Sequence, residues 1–121
     1  MKSKYLFVAL TVGLLLAPAV ALADTWANVS LIDVNCSAKV AANPDAHTRA
    51  CAIECAKSGY GVLTADGKYL KLDAEGSKKA LALLKASDRK DHLRVNLSGT
   101  LTGETIQVST IEMAPLAPAD K

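Results

Sequence analysis

Three cysteines and a histidine carry most of the chemistry this sequence can offer. Cys36 lies upstream of a run, His47-Thr-Arg-Ala-Cys51-Ala-Ile-Glu-Cys55, in which His47, Cys51 and Cys55 recur at every fourth position. On a helix that spacing stacks one imidazole and two thiols on a single face, a turn apart. With Cys36 arriving from a loop, the four residues offer a Cys3His donor set of the kind that closes around zinc, and thiolates also favour copper(I). Asp33 or Glu54 would then sit outside the ligands and orient the imidazole.

The same residues admit two other chemistries. An odd number of cysteines in an exported chain leaves at least one unpaired within the monomer. A disulfide from Cys36 to Cys51 or Cys55 would close a loop of roughly 15–20 residues, worth about 3 kcal/mol in the chain-entropy picture. A Cys51–Cys55 bond is less natural, because four residues of helix rise about 6 Å, near the upper end of disulfide reach. Thiol exchange is the third chemistry. It is usually run by a C-x2-C pair at a helix start, where the dipole activates the thiol, whereas this C-x3-C pair falls mid-helix. No nucleophile elbow and no glycine-rich phosphate loop occurs, and no nucleophile, base and orienting group can be assembled. The sequence therefore reads as a metal-binding module, not an enzyme, and its rival is a disulfide-stapled interaction or structural protein in which the cysteines only hold the loop.

These side chains need a frame, and the frame begins after a processing segment. Lys2 and Lys4 precede an almost unbroken apolar run over 6–20, followed by Ala21-Leu22-Ala23, a small-x-small cleavage pattern. Residues 1–23 read as a signal peptide cleaved near Ala23, which sends the chain to the periplasm or the medium. The apolar run is too short for a membrane span. Lys2 and Lys4 also account for the whole excess of 14 Lys+Arg over 12 Asp+Glu, so the processed chain is formally neutral. Neutrality argues against a phosphate-tracking groove, and no nucleic-acid partner is expected. A small ligand or a partner protein remains, its identity not written in the sequence.

About a hundred residues then form one domain, expected over 24–113. Residues 25–35 alternate as a strand, with Val29 and Leu31 on one side and Trp26, Ile32 and Val34 on the other, so both faces are expected to be covered. Asn43-Pro44-Asp45 opens a helix that Gly59 ends. Two short strands, 60–64 and 68–72, flank an Asp66-Gly67 turn. A second helix runs from Gly76 to about Ser87, with Ala80, Leu81, Leu83 and Leu84 as its apolar stripe. A long strand follows, carrying Leu93, Val95, Leu97 and Leu101, with a bulge or sharp bend expected at Gly99. After a turn at Thr102-Gly103-Glu104, Ile106 and Val108 fall out of phase with Ile111 and Met113, which predicts a second irregularity near Ser109. Residues 114–121 hold two prolines and read as a disordered tail.

The order β-α-β-β-α-β-β is mainly β with two helices. Without the first helix it is the order of a five-stranded oligonucleotide/oligosaccharide-binding (OB) barrel. The motifs Asp33-x2-Cys36, His47-x3-Cys51-x3-Cys55, Gly59-Tyr60, Asp66-Gly67 and Val95-x3-Gly99 resemble those of a family of small exported bacterial OB-like proteins. That resemblance implies the barrel, with a cysteine-bearing helix inserted after its first strand.

Overall fold

The computed structural model describes residues 23–116, so residues 1–22 of the expected signal segment and the end of the expected tail, 117–121, lie outside the described residues. Five strands follow one another as β1 (Asp24–Asp33), β2 (Tyr60–Leu63), β3 (Tyr69–Leu72), β4 (Arg94–Thr102) and β5 (Thr105–Met113). They close in the order β1-β2-β3-β5-β4, with β4 returning to β1. Every pairing is antiparallel except the short β3–β5 seam, where Lys71 faces Thr105 and Leu72 faces Ile106. The expected OB-like barrel is therefore present.

Alternation builds it. Val95, Leu97, Ile106 and Val108 are buried and their neighbours along the strands are more exposed, as a sheet with one face on a core requires. β1 is different at its end: Val29 through Asp33 are all buried, because the barrel lies on one side and the segment after Asp33 covers the other. One irregularity replaces the two expected in β4 and β5. Ser98 pairs with Thr110 but Gly99 pairs with Val108, which leaves Ser109 as the extra residue of a bulge. Gly99 is required there, since a Cβ would stand 2.2 Å from the Gln107 carbonyl oxygen. A second shift interrupts β1 against β4 between Trp26 and Val29, where Asn28 takes a positive φ of 54°.

The helix before β4 (α3, Ala74–Ala86) starts two residues earlier than expected because Asp73 caps it, accepting the Gly76 N–H at 2.9 Å. It buries Gly76, Ala80 and Leu84 against the barrel. Ala114, expected to begin the tail, is 2% exposed, and its N–H donates to the Arg94 carbonyl at 2.9 Å.

The first expected helix, a single rod from Asn43 to Ser58, does not form. Segment 34–59 is instead a chain of short turns: a 3-10 turn Val34–Cys36, α1 (Ser37–Val40), a second 3-10 turn Pro44–Ala46, α2 (Arg49–Glu54) and a third 3-10 turn Ala56–Ser58. His47 breaks the rod. Its backbone is extended, at φ −66° and ψ 126°, and the next residue, Thr48, caps a new helix by accepting the Cys51 N–H at 3.2 Å. Polar ties hold the segment to the barrel. Arg94 grips the Asp45 carboxylate with two hydrogen bonds of 2.9 Å, and Arg49 donates to the Leu84 carbonyl at the end of α3.

Candidate metal centre

The centre grows from the last residue of β1. Asp33 is fully buried, and each of its carboxylate oxygens has a separate task. Oδ2 accepts the Cys36 N–H at 3.0 Å, which folds the chain into the first 3-10 turn and sets Cys36 beside it. Oδ1 meets Nε2 of His47 at 2.7 Å. His47 is itself 5% exposed, so this is a buried contact between imidazole and carboxylate and not a surface one. It also explains the broken helix: to reach Asp33 the histidine must leave the helical path, and only beyond it does α2 begin. The side chains of Asp33, Cys36 and His47 offer ligand atoms that all lie within 4.8 Å of one another.

Cys55 stands at the edge of this group. It is half-buried, and its sulfur accepts from the Asn35 side-chain amide at 3.7 Å, which places it against the turn that carries Cys36. Two further bonds hold that placement: the Asn35 N–H donates to the Ser58 hydroxyl at 3.1 Å, and that hydroxyl donates to the Cys55 carbonyl at 2.8 Å. Burial pushes the Cys36 thiol up to about 11, with further contributions from the Asp33 carboxylate and from the Cys55 thiol. Cys36 therefore carries its proton at neutral pH.

The four residues expected on one helical face are thus divided. Cys36 and His47 come together, Cys55 is adjacent, and Cys51 is exposed and outside the group. The shared face fails because a non-helical residue separates His47 from α2. Glu54 is exposed and takes no part. Asp33, expected only to orient the imidazole, is the residue around which the group is built. Its signal was legible: a carboxylate three residues before Cys36 can accept that residue's N–H and close a turn. All three cysteines are free, so the disulfide expected from Cys36 to Cys51 or Cys55 is not formed here.

Two tyrosines brace the elements around Asp33. Tyr60 is buried and donates to the Ala52 carbonyl at 2.6 Å, pinning α2 to the barrel. Tyr69 donates to the Ile32 carbonyl at 2.8 Å. Its ring lies where a side chain on Gly61 would be: a Cβ there would come within 2.4 Å of it. Burial and the nearby Asp33 charge push Tyr60 up to about 12 and raise Tyr69 as well, so both remain neutral donors. No helix among the described residues is long and apolar enough to cross a membrane. No protein-family model, curated protein or solved structure matches this chain.

Proposed function

We propose that this chain is an exported binding module for zinc, held by Asp33, Cys36 and His47 with Cys55 next to the fourth position. The observation that carries this is the convergence of three different ligand types within 4.8 Å, two of them on buried residues. Around a tetrahedral zinc with bonds of about 2.0–2.3 Å, ligand atoms stand about 3.3–3.7 Å apart, so closing on the ion takes movements of roughly an ångström. The carboxylate decides between the metals. Copper(I) favours sulfur and imidazole, whereas zinc accepts sulfur, nitrogen and carboxylate oxygen together.

Charge supports the same assignment. One thiolate and one carboxylate neutralise a divalent ion, and burial tolerates a neutral cluster far better than a charged one. The high pKa of Cys36 fits an exported chain: the thiolate is the form that oxidises, and Cys36 remains a thiol until a metal displaces its proton.

A purely structural role has an observation of its own. The 2.7 Å bond between His47 and Asp33 already satisfies both groups and pins segment 34–59 to β1 without any ion. Dialysis against zinc, followed by native mass spectrometry, separates the two. The zinc module retains one ion per chain and loses it in Asp33→Asn, Cys36→Ser and His47→Ala. A structural pin retains none, and equal retention by all three variants would refute the assignment.

A further inference from the structure

Two ligands of the zinc site proposed above, Asp33 and His47, are buried and Cys36 is half-buried, so an aqueous ion sheds water to enter it. We infer that the three cysteines form an inward path along which Cys51 takes zinc from a thiolate-ligated donor and passes it by way of Cys55 to Cys36, Asp33 and His47. This inference rests on the zinc assignment.

The placement of the thiols carries it. Exposure falls in order along the path: Cys51 is exposed, Cys55 and Cys36 are half-buried, and His47 and Asp33 are buried at 5% and 0%. Cys51 and Cys55 are one helical turn apart, with the Cys55 N–H donating to the Cys51 carbonyl at 3.1 Å. Side chains four apart on a helix share a face, with Cβ atoms about 5–6 Å from each other. From Cys55 the next step is short, because Asn35, which precedes Cys36, bonds the Cys55 sulfur at 3.7 Å. A thiol at the surface has no role inside the buried group, since Cys51 is not among the residues that converge there.

The chemistry needs no oxidant or reductant. At each step one zinc–sulfur bond forms as another breaks, and zinc remains divalent throughout. The arriving protein thiol gives up its proton, and the departing donor thiolate takes one. Overlapping ligand exchange keeps the ion coordinated at all times, which lowers the desolvation cost of reaching the buried Asp33 and His47. The partner is accordingly a thiol-ligated zinc carrier, a small dithiol or a cysteine-bearing protein surface.

The test follows zinc transfer from a zinc–dithiothreitol complex into the full metal-free chain, with the final affinity measured separately by competition with a chelator. Cys51→Ser should slow transfer by about tenfold or more while leaving affinity and thermal stability unchanged. Transfer as fast as in the unaltered chain would overturn the path. So would a loss of affinity, which would make Cys51 a resident ligand. Failure of the zinc site itself reads differently: Cys36→Ser and Asp33→Asn would then bind zinc as the unaltered chain does.

Discussion

The barrel wall and the segment 34–59 are held by opposite means. In the barrel, stability comes from apolar burial on alternating strand positions, with Val62, Val95 and Ile106 wholly withdrawn from water. In the segment only Ala52 and His47 are buried, and the shape is kept by discrete polar ties: Asp33 to His47, Asp33 to Cys36, Thr48 to Cys51, Asp45 to Arg94 and Asn35 to Ser58. Non-directional burial tolerates substitution and averages over many contacts, whereas a polar tie is lost when one atom changes. The residues that shape the segment are also the residues that would grip a metal, so folding and function are coupled there and separable in the barrel.

Breaking the barrel should have the largest effect. Ile106→Ala leaves a cavity at the β3–β5 seam and should cost about 2–5 kcal/mol, seen in urea denaturation as a loss of stability of the whole domain. Asp33→Asn keeps the volume but leaves one acceptor oxygen for two tasks, the Cys36 N–H and His47, costing about 1–3 kcal/mol. Its signature is local: amide exchange should rise across 34–59 while the strands keep their protection, and equal loss in the strands would erase the distinction between the regions. Thr48→Ala removes the cap of α2 and should cost about 1 kcal/mol, loosening amides of α2 in the same exchange experiment.

The smallest effect belongs to Asp45→Asn. It breaks a partly exposed pair, worth at most about 1 kcal/mol after solvent screening. Its pH dependence has a defined sign. The Arg94 guanidinium holds the Asp45 carboxyl below its ordinary value of 3.8, so the contribution is complete above that value and fades as acid protonates the folded form. Thermal melts at neutral and acid pH should show the variant and the unaltered chain converging as pH falls. A gap that widens on acidification would assign Asp45 another role.

The two regions also differ in how much the sequence disclosed. Alternation made the strands legible, and the mismatch of phase between Val108 and Ile111, with Gly99 opposite, marked a real bulge although it read as two. Asp66-Gly67 and Thr102-Gly103-Glu104 marked real turns. In 34–59 the regular spacing of His47, Cys51 and Cys55 misled, because periodicity reports a face only if the backbone between the residues is helical. The pull of Asp33 on His47 decides that, and it acts between residues 14 apart in the chain. Thr48 carried the local clue, as a capping residue placed just where the new helix starts. The turn from Asp33 to Cys36 was legible in their spacing, whereas the bond from Asp33 to His47, which makes Asp33 the centre, had no local signal.

The most direct test of that centre is X-ray absorption at the zinc edge of the zinc-loaded chain. The expected first coordination shell holds one or two sulfur atoms at about 2.3 Å, with the remainder nitrogen or oxygen at about 2.0–2.2 Å. A shell of oxygen and nitrogen without sulfur would contradict the account, as would a chain that keeps no zinc to measure.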